Sequence, residues 1–357
     1  MLLEQPVLAA LCEGANAGKP TLRLNGRRLF VLDPELAKHL LAEPADRLLD
    51  ASDFFRAGSH GPELRRAELR VSSDFRKLVR TAWQRADLEN TFGLVKIEGR
   101  WPDAGRRIMA QIFAEQICAP GRSAGFRKAV STTVETRILD QARGPLDRLA
   151  APYRQARWGK ALAREMASGQ RENDLAQICF DHLEAFGIPF VARAFAAALF
   201  STVNSLGVTL SWSLLLATQD GRAVARGKTL VLESLRLFPL AWNIEKCAAT
   251  DFTLAGEQVR RGEAVAISPF ACQRNSAYVA RPNDFLPERW HEENPADVML
   301  PFGFGSHRCP AMQANLAILS EATELCLNAG VTPHLVGSRL HPGSALTPPD
   351  FVMSSIT

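Results

Sequence analysis

A chain of 357 residues is long enough to bury a large core, and a formal net charge of +4 is too small to draw it to nucleic acid by charge alone. Hydrophobic residues at 46% and charged residues at 22% give the balance of a soluble globular protein, which excludes a disordered or largely membrane-embedded chain. The seven cysteines are odd in number and hold no C-x-x-C pair, which excludes a disulfide scaffold or zinc ribbon and fits a reduced, cytoplasmic setting.

The first stretch, MLLEQPVLAALCEG, is a short apolar run broken by Glu4 and Pro6 with no basic leader, a poor signal peptide and too short for an anchor. In TLRLNGRRLFVL, Asn25-Gly26 stands between two strand-like runs and predicts a tight hairpin. Asp33-Pro34 predicts a helix over PELAKHLLAEP, with the aspartate as cap and the proline in the first turn. Residues 53–90 read as polar, basic and irregular, with short helical patches. From Phe92, FGLVKIEGRWPDAGRRIMAQIF predicts a turn running into a helix, and mostly helical sequence continues to about Thr218.

Within that region the chain is uncharged from Ala194 through Gln219, long enough to span a bilayer. Ser201, Thr202, Asn204, Ser205, Thr209, Ser211 and Ser213 interrupt it, and no basic cluster marks an inside end. A helix buried all round is therefore expected, with no membrane span. TLVLESLRLFP predicts a helix stopped by Pro239, and AATDFTLAGEQVRRGEAVAIS predicts strands turning at Gly256 and Gly262. The tail after Cys309 predicts a helix with Leu316, Leu319 and Ala322 on one face and Gly330 ending it. There is no repeat and no linker. The outline is mainly α with a minor β part, in a single domain over residues 1–357.

Pro301 to Met312, PFGFGSHRCPAM, gives Cys309 a setting that none of the other cysteines has. It stands where a helix is predicted to begin, so free backbone N–H groups and the positive dipole end favour a thiolate there. Gly303 and Gly305 let the loop turn tightly and approach a flat ligand, Phe302 covers the sulfur, and His307 and Arg308 reach anionic groups. The plain alternative is a buried free cysteine in a glycine turn, the reading given to the other six.

This loop resembles the haem-binding loop of the cytochrome P450 family, F-x-x-G-x-x-x-C-x-G. It matches at Phe302, Gly305 and Cys309 and departs at Ala311, where the family has glycine. Glu233 and Arg236 in ESLRLFP match the family's E-x-x-R, and Arg289 in FLPERW matches its P-E-R segment. The resemblance implies the cytochrome P450 fold and a buried network joining Glu233, Arg236 and Arg289. It also implies haem b (iron protoporphyrin IX) with Cys309 as axial ligand and the one metal-binding residue. Its propionates would be met by His307, Arg106 (with Arg107 as the alternative) and Lys246, with Trp101 beside them. For each of the cations the plain alternative is a solvated surface charge.

The uncharged helix corresponds to the family's central helix, whose signature is A/G-G-x-D/E-T. ALFST, Ala198 to Thr202, falls there: Thr202 keeps the alcohol, Ser201 replaces the acid and Leu199 replaces the second glycine. Thr202 and Ser201 are the candidate catalytic residues, although such hydroxyls serve equally in helix packing. Leu199 crowds the place where oxygen sits in the family. Ala198, Leu199, Trp242 and Ile244 are the candidate pocket lining. The lid segment is shortened to PYRQARWGKALAREMASGQREND, where Arg157, Lys160 and Arg164 share a helix face. The expected activity is a haem-thiolate monooxygenase that oxidises a small organic molecule, free or carrier-bound, in the manner of specialised-metabolite enzymes. Its electrons would come from a ferredoxin and ferredoxin reductase, docking near Arg106 and Arg107. The altered Ser201 and Leu199 keep open aromatic coupling, rearrangement, peroxide or nitrogen-oxide chemistry, or a non-enzymatic haem protein.

Overall fold

A computed structural model of the protein describes residues 5–26, 28–42, 47–50, 62–93, 99–139, 145–217, 226–292, 295–305, 308–337, 340–343 and 345–355. The first apolar run is the helix Pro6–Asn16, which buries Leu8, Leu11, Cys12 and Ala15 at helical spacing. Asn25 and Gly26 both adopt positive φ (53° and 65°), as a two-residue hairpin turn demands, and join the strands Thr21–Leu24 and Arg28–Val31. Asp33 Oδ1 accepts the Leu36 N–H at 2.8 Å and caps the helix Pro34–Ala42.

The chain forms two compact units. The first comprises Met1–Arg56, Lys96–Pro102 and Val208–Thr357. Its largest sheet has five strands in the order Thr21–Leu24, Arg28–Val31, Ala264–Ile267, Ile244–Ala248 and Leu48–Asp50. Arg28–Val31 runs parallel to Ala264–Ile267, and the other pairings are antiparallel. Leu29, Val31, Ile244, Val265 and Ile267 from this sheet pack with Ala37, Leu40 and Leu41 of the capped helix in one apolar cluster. The turns at Gly256 and Gly262 form as expected, both at positive φ. The helix Gly227–Leu237 stops ahead of Pro239 and packs on the helix Met312–Asn328, which Gly330 ends at φ +69°.

A second sheet, Arg100–Trp101, Phe351–Ser355 and Val331–Leu335, has no counterpart in the expectations drawn from sequence. Pro333 and His334 interrupt any alternation in Val331–Leu335, so the strand carries a weak signal. It lies at the sheet edge, where a proline is tolerated.

The second unit comprises Ala57–Val95 and Asp103–Gly207. Here the irregular reading of residues 53–90 is corrected: Pro62–Arg85 is one continuous helix. Leu64, Ala67, Val71, Phe75, Val79 and Trp83 form a buried stripe spaced by three and four residues. Charged residues crowd the other faces, and their number, with the exposed Leu69 off the stripe, hides the period. That helix packs on Leu175–Leu183, which packs on Ile188–Leu199. Arg122 and Asp174, both buried, are joined by two hydrogen bonds of 2.9 and 2.8 Å. Asp174 also accepts the N–H groups of Ala119 (3.0 Å) and Gln177 (2.9 Å), so one carboxylate caps Leu175–Leu183 and holds the neighbouring loop. Arg157, Lys160 and Arg164 line the exposed face of the helix Pro145–Ala167, and Trp158 on its other side stacks on Phe126.

The uncharged segment is the helix Ile188–Leu199, a π-helical turn Phe200–Asn204 and the helix Ser205–Ala217. By length and composition it could cross a membrane, yet every residue from Leu206 to Ala217 is buried, as in a core helix. Residues 218 and 219 of the uncharged segment lie outside the described residues.

Candidate functional site

The loop before Cys309 is closed by its own backbone. Gly303 N–H donates to Leu300 O (3.0 Å), Arg308 N–H to Gly305 O (3.2 Å) and Cys309 N–H to Phe302 O (2.6 Å). Gly303 and Gly305 sit at φ +69° and +57°, which favours glycine. A Cβ on Gly305 would lie 3.2 Å from Ala42 Cα, so the loop also needs the missing side chain to seat against the helix Pro34–Ala42. The following helix begins at Met312, so Pro310 lies in the turn ahead of it and not in its first turn. His307 lies outside the described residues.

Cys309 is half-buried and forms no disulfide. Among the described residues no three His, Cys, Asp or Glu side chains gather as a metal site. A single sulfur fits a metal that brings its remaining ligands in its own macrocycle. These residues fit a haem. Five of the six other cysteines are held as thiols. Burial pushes the thiols of Cys12, Cys179, Cys272 and Cys326 up, and that of Cys118 up to about 12, so at neutral pH they remain protonated. Alkylation of the cofactor-free protein at pH 7 is expected to reach Cys309 before Cys12, Cys179, Cys272 or Cys326. Peptide mapping that finds one of those four modified first would contradict this.

Glu233 and Arg236, three positions apart on one helix, meet Arg289, 56 positions on from Glu233. Arg236 donates Nε and Nη2 to the two Glu233 oxygens at 2.9 and 2.8 Å, and Arg289 Nε donates to Glu233 Oε1 at 3.1 Å. All three are at most 2% exposed. Two partners escaped the sequence reading: Trp290 Nε1 (3.1 Å) and the Leu286 N–H (3.0 Å) also donate to this carboxylate. Arg236 further donates to the carbonyls of Gln273, Pro282 and Asp284, and Arg289 to those of Ala280 and Arg281. Gln273, also unforeseen, extends the network. Its Nε2 donates to the Leu235 and Arg236 carbonyls, and its Oε1 accepts the Leu300 N–H at 2.8 Å. Leu300 O is in turn the acceptor for Gly303, inside the cysteine loop.

The other candidates of this unit are buried. Lys246 is 2% exposed on the strand face it shares with Ile244 and Ala248. Ile244 belongs to the apolar cluster of the five-stranded sheet, and Trp242 Nε1 donates to Gly343 O at 2.9 Å. Trp101 is fully buried and stacks on Phe351 with ring centroids 5.7 Å apart.

In the second unit Arg106 is buried and Arg107 exposed. Arg106 donates Nε to Asn204 Oδ1 (2.9 Å) and Nη1 to Asp103 Oδ1 (2.6 Å). Thr202 is buried in the π-helical turn, Leu199 is buried just before it, and Ala198 is half-buried. Ser201 Oγ donates back to Ala198 O at 3.0 Å, the packing role its hydroxyl allowed. Asn204 was not a candidate. Its polarity inside a buried helix was the available signal.

A protein-family model, Cytochrome P450, matches residues 228–317. Among curated proteins, cyclooctatin synthase of Streptomyces melanosporofaciens is 38% identical over 81 residues, covering 22% of this chain and 18% of that protein. Cytochrome P450 3A17 of Cavia porcellus is 35% identical over 97 residues, covering 26% and 19%. The matched part thus spans about a fifth of those relatives' length. Across nearly the whole chain the fold is similar to two solved structures. The cytochrome P450DA heme domain has a TM-score of 0.65 at 16% identity, with 99% of this chain and 93% of that one covered. CYP175A1 from Thermus thermophillus has a TM-score of 0.68 at 19% identity, with 98% and 96% covered.

Proposed function

We propose that this chain belongs to the cytochrome P450 family and is a haem-thiolate oxidoreductase that oxidises a small organic molecule, a reading supported by its fold and by the match over residues 228–317. The observation that carries the reading is the Cys309 loop: one half-buried sulfur outside any disulfide, on a glycine-closed turn, tied through Leu300 and Gln273 to a buried charge network. Cys309 Sγ would ligate the iron of haem b. The group so ligated supplies oxygen activation.

The chain's own part is to bind and to manage protons. Thr202 Oγ1 is the hydroxyl available to hold a water near the reacting atoms, because Ser201 Oγ already donates to Ala198 O. Trp242 and Leu199 bring bulk suited to a flat or apolar substrate. Electrons would come from a ferredoxin and its reductase, with the exposed Arg107 in the docking surface, since Arg106 is buried. A cytoplasmic enzyme acting on an intermediate of specialised metabolism, free or carrier-bound, is the setting these features suit.

The test is the absorption spectrum of the purified protein reduced with dithionite under carbon monoxide. A strongly red-shifted Soret band is expected. A haem spectrum without that shift would count against thiolate ligation and remove the monooxygenase reading.

One observation favours a second reading. Serine stands where the family has an ionisable acid, and its hydroxyl is engaged in its own helix, so the usual proton donor is missing. Rearrangement, or coupling or oxidation driven by a peroxide that brings its own protons, needs no such donor. Labelled dioxygen separates the two: a product without the label means no oxygen insertion.

A further inference from the structure

A π-helical turn is rare and persists only where its surroundings enforce it. In the turn Phe200–Asn204 the Phe200 carbonyl accepts both the Ser205 N–H and Ser205 Oγ, the latter at 3.3 Å. Two further observations bear on the same turn. Asn204, fully buried, accepts Arg106 Nε on its Oδ1 at 2.9 Å, and Asp103 holds the same guanidinium from the first turn of the helix Asp103–Ile112. One helical turn on, Gly207 faces the same helix, where an added Cβ would lie 2.6 Å from Arg106 N and 2.7 Å from its Cα. Backbone atoms cannot yield to a side chain at that distance. Residues three apart share a face, so an amide and a missing side chain fix one contact.

The contact and the turn depend on each other. Each residue of an α-helix turns the chain by about 100°. If the π-helical turn wound regularly, everything after it would rotate by that angle relative to everything before it. Either Asn204 and Gly207 would leave Arg106, or Leu199 and its neighbours would leave their places.

We propose that Asn204 is a positioning residue: through Arg106 it holds the π-helical turn in register, and so sets where Thr202 and Ser201 point. The lock itself follows from contacts inside this unit. What Thr202 and Ser201 contribute rests on the haem-thiolate reading above.

The test compares Asn204→Leu, which removes the acceptor at similar size, with Asn204→Asp, which keeps an oxygen for Arg106. Amide hydrogen exchange is followed in peptides covering Ala198–Gly207, without cofactor and after haem loading, and the C–O stretching frequency of carbon monoxide is read in the loaded protein. Asn204→Leu is expected to speed exchange in those peptides by about tenfold or more, the effect of losing one buried hydrogen bond to a charged group. Exchange in Leu175–Leu183 should stay as in the parent, the C–O frequency should shift, and Asn204→Asp should follow the parent in every measurement.

Parent-like exchange in Asn204→Leu would overturn the lock. Faster exchange with an unmoved C–O frequency would reduce Asn204 to a structural residue and overturn the positioning role, as would equal loss in both variants. If Asn204→Leu does not fold, Gly207→Ala, which pushes the same contact apart, must give the expected pattern or the proposal fails. A parent protein without the red-shifted carbon monoxide band would defeat the haem-thiolate reading, while the exchange result would still decide the lock.

Discussion

Cys309→Ala is expected to lose the red-shifted carbon monoxide band entirely and to reduce oxidation to the background of unbound haem. Five of the other six sulfurs are held as thiols. Cys12, Cys179, Cys272 and Cys326 are buried, with thiols pushed up by desolvation, so none is ready to serve as thiolate. Cys118 is half-buried, but desolvation and the nearby Asp174 hold it near 12. Cys309 alone has a loop built around it, with two left-handed glycines and its own N–H turned inward to Phe302. Its side chain is half-buried, so truncation removes little packing and the folded state should lose no more than about 1 kcal/mol. Loss of the band with at most a small shift in the unfolding midpoint of the cofactor-free protein is therefore the expected pair of results. A surviving band in Cys309→Ala would move the ligand to another cysteine and sink the assignment.

The parts of this molecule that were legible in the sequence are those where the chain must do something unusual locally. Asn25-Gly26 forces a turn, Asp33-Pro34 starts a helix, Gly330 ends one, and each element formed where its signal stood. Long-range partnership was legible only through resemblance. Nothing in Glu233 and Arg236 themselves distinguishes a buried pair from a surface one, and their spacing is common on exposed helices.

What escaped shows the same limit from the other side. The helix Pro62–Arg85 was hidden because its buried stripe is one residue wide and surrounded by arginines. Trp290, Gln273 and Asn204 carry no local signature, because their partners lie 57, 27 and 98 positions away in the chain. A single sequence reports such contacts only as polar or aromatic residues with no evident reason to be there. The π-helical turn is the hardest case. ALFSTVNSLG reads as ordinary helix, and only the packing of Arg106 against Asn204 and Gly207 explains why one extra residue is held in that turn.

The largest loss of stability is expected from Glu233→Leu. The carboxylate accepts from Arg236 twice, from Arg289, from Trp290 and from the Leu286 N–H, and nothing within it reaches solvent. Removing it strands two buried guanidiniums, a change that typically costs about 3–5 kcal/mol. The effect should not stop at stability. Arg236 orients the Gln273 backbone, the Gln273 side chain accepts the Leu300 N–H, and Leu300 O receives Gly303, so the network ends in the loop that carries Cys309. Urea unfolding should show the loss, and the carbon monoxide band should broaden or shift under conditions where the variant is still folded. Gln273→Leu separates the two effects. It leaves the Glu233 carboxylate and its donors in place and removes the acceptor of the Leu300 N–H together with the two Nε2 bonds to the Leu235 and Arg236 carbonyls, so it should disturb the band with a smaller change in unfolding. Equal and small effects from both variants would mean that the loop holds itself, through Gly303, Gly305 and the Cys309–Phe302 bond alone, and that the charge network serves only the segments it directly touches.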